Sequence, residues 1–245
     1  MKVFILASLL LLGVVVAGGD YPHKCDGPVN DKPIITTEPK IVATVKNGIK
    51  MQVDGIRYPI VHVYGTPEEM GQAYGELLKD DINNLYPEFW DFAATQAYDA
   101  VKKYIPFIPQ SLFDKLIKPI IPHILDLQWW MVSGNVPSYF EDEFKGIAAG
   151  AGIDWNDAKR VSVFPELIRM QCSMIGAWGT ATAKSTGGMV QLRALDWDIT
   201  GPFAKYATVL IYHPSEGHGN TYAVWTWAGL VGALSGYSAS RVGVS

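Results

Sequence analysis

Cysteine is nearly absent: the 245 residues hold two, Cys25 and Cys172. A disulfide-stapled framework is therefore excluded, and a single Cys25–Cys172 bridge is the plainest reading for a chain that enters an oxidising compartment. Charge is also scarce, at 18% of residues, and a net charge of −4 with a pI near 5.7 leaves no basic field for a phosphate backbone. No basic stripe or base-stacking motif appears, which excludes nucleic acid as an expected partner. There is no Asn-x-Ser/Thr sequon to carry an N-glycan. Internal repeats and low-complexity tracts are missing, and no apolar run beyond the N-terminus is long enough, free of charge and proline, to give a stable transmembrane segment. With 49% hydrophobic residues the chain can bury a large core, which excludes disorder and suits one compact domain or two tightly joined lobes.

What is present begins with Met1-Lys2 and an almost unbroken apolar run from Val3 to Val16, closing on small residues at Ala17, Gly18 and Gly19. That pattern is a secretory signal peptide over residues 1–17, so the mature chain is expected in the secretory route, extracellular or lysosomal. Residues 20–40 read as an extended lead-in, and the runs Ile41–Val45 and Ile56–Val63 as strands. Thr66-Pro67-Glu68-Glu69 combines an N-cap threonine, proline at the first helical position and acids in the first turn, predicting a helix to about Tyr86. A second helix is expected over Glu88–Tyr104. From Ile105 to Val132 the prolines 106, 109, 119 and 122 impose short helices, whose apolar stripes point to core or lobe interface in preference to lipid. Further helices are expected over Glu141–Ala149 and from Asp154 toward Leu167. After Cys172 the texture becomes short β-type runs split by glycine-bearing turns, predicting consecutive antiparallel hairpins, and Arg241–Ser245 reads as the middle of a strand. The division is 1–17 signal peptide, 18–171 mainly helical, and 172–245 the start of an antiparallel-sheet region, incomplete at Ser245.

Cys172 stands at the boundary between these textures. A cysteine nucleophile must lose its proton, from an ordinary pKa near 8.5, and a nearby cation or amine is the usual means. His213 and His218 flank a turn, Pro214-Ser215-Glu216-Gly217, and make poor bases. If the Gln171–Cys172 bond is cut, the new α-amine, with an ordinary pKa of about 7.7 to 8, becomes an intramolecular base. Arg193-Ala194-Leu195-Asp196-Trp197-Asp198 lies one hairpin downstream. In a strand Arg193 and Asp196 face opposite sides, so bringing both to Cys172 requires an irregular strand terminus; otherwise they are sheet-edge charges.

Taken together, Gly65-Thr66-Pro67-Glu68-Glu69-Met70-Gly71-Gln72-Ala73-Tyr74-Gly75-Glu76-Leu77-Leu78, then Phe144-Lys145-Gly146-Ile147-Ala148-Ala149-Gly150-Ala151-Gly152, then Cys172-Ser173 and Arg193-Ala194-Leu195-Asp196-Trp197 resemble the penicillin acyltransferase-like hydrolases. Their wider relatives include acid ceramidase and bile salt hydrolase, and the resemblance covers about residues 60–245. It implies an α+β fold, the four-layer αββα arrangement of N-terminal-nucleophile hydrolases, in a precursor that cleaves itself between Gln171 and Cys172. The nucleophile then falls on Cys172, with Arg193 orienting thiol and substrate and Asp196 holding the free α-amine. Asparagine often stands in the family where this chain has Ala194. The resemblance also places the oxyanion-hole asparagine beyond Ser245, and assigns Cys25 a disulfide to a late cysteine beyond it.

The expected reaction is hydrolysis of a non-peptide or N-acyl amide through a cysteine thioester, with transfer to a second amine as a variant of the same chemistry. It calls for no metal and no cofactor. The expected partner is a small-molecule amide with a hydrophobic acyl group, and the two cleavage fragments are expected to stay associated. Two other readings fit the residues: a non-catalytic lipid-binding or interaction protein, and a Cys/His protease dependent on His213 or His218.

Overall fold

A computed structural model describes residues 37–167, 171–184, 188–196 and 201–244. The expected signal peptide, Cys25, Trp197 and Asp198 lie outside the described residues, as do the side chains of Gln171 and Asp196. The architecture is α+β: helices cover one face of a mixed seven-stranded sheet, and a separate two-stranded ribbon carries Cys172.

The sheet opens with β1 (Lys40–Val45), β2 (Gly48–Gln52) and β3 (Ile60–Gly65), joined as an antiparallel meander. The first turn is two residues, Lys46-Asn47, which is how a strand not expected from the sequence, β2, fits between the two that were. The remaining strands are β6 (Ala207–Pro214), β7 (Tyr222–Trp227), β8 (Ser235–Ser238) and β9 (Gly243–Val244). β6 lies parallel to β3, Tyr64 opposite His213, so the order is β1-β2-β3-β6-β7-β8-β9. A single chain of consecutive hairpins is therefore corrected: β6 inserts beside β3 instead of pairing with the strand before it. The expected strand over Val231–Ser235 is mostly loop: Val231 N donates to Ser162 Oγ on the helical side, and of the stretch Ser235 alone belongs to β8.

α1 (Pro67–Leu77) begins as expected. Thr66 Oγ1 accepts from Glu69 N at 3.3 Å, and Glu69 Oε2 accepts from Thr66 N at 2.9 Å, a closed capping box. The helix ends sooner than its pattern suggests, at Leu78, and α2 (Lys79–Tyr104) then runs on through Pro87. An interior proline costs a helix bond worth roughly 3 kcal/mol with its clash. Here Leu85, Tyr86, Phe89 and Phe92 form one buried stripe across it, and that burial offsets the loss. α3 (Gln110–Leu116) and α4 (Ile121–Val132) are the short helices that the prolines impose. Burial reaches one side of this segment, through Phe113, Ile124 and Leu125, while Phe107 is 94% and Trp130 74% exposed. The expectation of core burial thus holds for that side alone.

α5 (Ser138–Ala151) packs directly on α1, and α6 (Trp155–Leu167) follows after Gly152, whose φ of 74° closes α5 in the left-handed region. A Cβ at Gly71 or Gly75 would collide with the carbonyls of Glu143 or Ile147, and one at Gly146 or Gly150 with those of Glu68 or Gln72. Two glycines four apart on each helix therefore let the backbones touch. Beneath them Val61, Val63, Leu210, Tyr212 and Val224 alternate onto the helical face of the sheet and complete the core with Tyr74, Phe89 and Ile147.

Candidate functional site around Cys172

β4 (Gln171–Ala177) and β5 (Val190–Asp196) form the ribbon, antiparallel and in continuous register. Cys172 stands opposite Leu195, and Met174 opposite Arg193. Alternation puts Cys172, Leu195 and Arg193 on one face, with Arg193 the diagonal neighbour of Cys172. A long side chain spans that diagonal: Arg193 Nη2 donates to Cys172 Sγ at 2.9 Å. Nη1 of the same guanidinium donates to Leu234 O at 2.8 Å, which fixes the fork from the far side. Nε is buried with no partner among the described residues. The thiol is free and exposed, and Arg193 is half-buried.

Asp196 is the last residue of β5, opposite Gln171 and thus beside the bond expected to break. Arg193 reaches the thiol from a regular strand, so no bulge is needed for it, and only Asp196 occupies a strand terminus.

Arg193 also borders two hollows of about 310 and 410 Å³ that share Trp225 and Ser235. The first is walled by Leu195, Ala207, Trp227 and Leu234. Val209 and Trp225, opposite each other in the β6–β7 ladder, line the second and lie on the sheet face turned away from Leu210 and Val224. The ribbon therefore borders the face that the helices leave uncovered.

No histidine bonds Cys172 among the described residues. His213 instead pairs with His62, Nδ1 of His62 lying 3.0 Å from Nε2 of His213, and stacks on Tyr64. Burial lowers the pKa of both imidazoles, and for His62 the neighbouring His213 lowers it further. No group of three or more metal-ligating side chains occurs among the described residues. No helix among them is long and apolar enough to cross a membrane.

Two structural features escaped the sequence reading. The Leu234 carbonyl that anchors Arg193 belongs to a loop whose path depends on distant helices. Glu143 is the other: on α5 it shares a stripe with Ile147 and Gly150, is 7% exposed and accepts from Tyr212 Oη at 2.5 Å. An acid on an apolar helix stripe was the available signal.

No family model matches the chain. It is 37% identical over 216 residues to the Dictyostelium discoideum protein dcd1B, covering 86% of this chain and 42% of that protein. It is 34% identical over 259 aligned positions to dcd1A of the same organism, covering 100% of this chain and 57% of that protein. An uncharacterized protein of Archaeoglobus fulgidus is 30% identical over 167 residues, 64% of this chain and 22% of its own length. The chain thus spans about half the length of the two Dictyostelium relatives.

Proposed function

We propose that Cys172 is the nucleophile of a secretory-pathway amide hydrolase of the penicillin acyltransferase-like kind, with the αββα fold, activated by self-cleavage between Gln171 and Cys172. The observation that carries this reading is the guanidinium of Arg193 held on the Cys172 thiol and fixed in place by the Leu234 carbonyl.

In the uncut chain the Cys172 nitrogen is an amide and cannot act as a base. The thiolate attacks the Gln171 carbonyl carbon, the bond to the Cys172 nitrogen breaks, and that nitrogen takes up a proton. Water then hydrolyses the thioester, leaving a carboxyl on Gln171 and a free thiol and α-amine on Cys172. In turnover the α-amine accepts the thiol proton and Sγ attacks the substrate amide carbon. The ammonium protonates the departing amine. The α-amine then draws a proton from the water that releases the acid. Arg193 compensates the charge on sulfur, and Asp196, beside the cleaved bond, holds the ammonium. The hollow walled by Leu195, Trp225, Trp227 and Leu234 suits an apolar acyl group. After cleavage the β3–β6 ladder, with the Tyr74 and Tyr86 hydroxyls bonded to the backbone at residues 227–230, keeps the two fragments together.

The Cys/His protease reading is weakened by the engagement of His213 with His62. The test is turnover of a fluorogenic long-chain N-acyl amide by the full-length protein. Cys172→Ala is expected to abolish it and Arg193→Lys, which keeps the charge but loses the fork, to reduce it roughly tenfold to a hundredfold. Undiminished turnover by Cys172→Ala would overturn the proposal.

A further inference from the structure

A further cavity lies on the other side of the sheet from Cys172. It measures about 510 Å³ and opens between the starts of α1 and α5, the end of β6, the start of β7, and the turn at residues 214–218. Tyr212, at its floor, shares the helical face of the sheet with Leu210 and Val224. Its walls are apolar and aromatic, with Met70, Tyr139, Phe140 and Tyr222 among them. Into this setting projects one carboxyl group, that of Glu143.

Burying a carboxylate is costly unless a cation or several donors meet it. Glu143 has neither among the described residues: Tyr212 donates to Oε1 at 2.5 Å, no protein donor meets Oε2, and no ion pair involves the group. Among the described residues neither lysine nor arginine lines the cavity, and the other titratable groups there are Tyr139, Tyr212, Tyr222 and His218. Burial raises the Glu143 carboxyl to about 7, the direction expected of an acid lacking a countercharge. A largely buried carboxyl with one oxygen unmet by a protein donor, aromatic faces and no lysine or arginine among the described lining residues together describe a receptor for a cation.

We propose that this cavity binds a primary ammonium carried on an apolar or aromatic body, with Glu143 as countercharge through Oε2 and Tyr139, Phe140 and Tyr222 as the enclosing walls. The site is independent of the chemistry assigned to Cys172, because it stands on the opposite face of the sheet and its test reads binding, not turnover.

The experiment is calorimetric titration of the purified full chain, above neutral pH, with phenethylamine and with its neutral counterpart phenethyl alcohol. A charge-assisted hydrogen bond to a buried carboxylate corresponds to roughly a tenfold to hundredfold preference for the amine. Glu143→Gln keeps the size of the side chain and is expected to erase that preference. Tyr139→Ala, at a half-exposed wall position, is expected to weaken both ligands several-fold and keep the preference. Equal affinity of wild type for the two ligands, binding of neither, or a preference that survives Glu143→Gln would each overturn the proposal. Should Glu143→Gln fail to fold, the wild-type comparison and Tyr139→Ala still decide the matter.

Discussion

The α1–α5 pair with the sheet beneath it, and the β4–β5 ribbon, are built to opposite specifications. In the first, glycines bring two helix backbones into contact and Tyr74, Leu85, Phe89, Ile147 and Leu210 are all fully buried. In the second, Cys172 is exposed, as are Met174, Ile175 and Leu192 at 59%, 64% and 56%. The residues proposed for chemistry thus sit on the less covered element, while Gly71, Gly75, Gly146 and Gly150, which carry much of the family resemblance, have a packing role.

Substitutions that cross this divide should differ sharply in cost. The largest effect is expected for Gly75→Val, where backbone atoms of Ile147, Gly150 and Ala151 meet the new side chain and have no way to yield. Stability should fall by about 3 kcal/mol or more in urea unfolding. A loss below 1 kcal/mol would mean that the helices separate easily and the contrast is overstated.

The next effect depends on pH. The Glu143 carboxyl is raised from 4.5 to about 7 in the folded state, so between those values the folded chain holds a proton that the unfolded chain has released. Stability should therefore decline as pH rises from about 4.5 to 7 and level off above it, by up to about 3 kcal/mol in total. Glu143→Gln should flatten that slope in denaturation midpoints measured across the range. A slope that persists in the variant would assign it to other groups.

Thr66→Ala removes one half of the capping box and should cost about 1 kcal/mol, read as a lower melting temperature. Least is expected on the ribbon, where Leu192→Thr at an exposed strand position should change stability by under about 0.5 kcal/mol. A cost near that of Gly75→Val would show the ribbon to be as tightly integrated as the helical layer.

Local signals in the sequence carried further than distant ones. The Thr66–Glu69 cap was legible because its donors and acceptors lie within one turn of chain. The short helices between Ile105 and Val132 were legible because proline acts on its own backbone. The proximity of Cys172 and Arg193 was half legible: alternation separates Arg193 from Asp196, but which strand residue faces which depends on the register of a hairpin, and that register made Arg193 a diagonal neighbour. The parallel insertion of β6 beside β3 was not legible, since nothing near either strand encodes it. Nor was the passage of α2 through Pro87, where the deciding contacts of Phe89 and Phe92 are with Phe164 and Phe203 far along the chain.

The central claim is that Cys172 works as the first residue of a chain it has itself exposed. N-terminal sequencing and intact mass of the full-length protein, wild type beside Cys172→Ala, test it most directly. The wild type should yield two fragments, the second beginning Cys-Ser-Met-Ile, and Cys172→Ala should stay whole. A wild-type protein that remains a single chain while fully active would contradict the account.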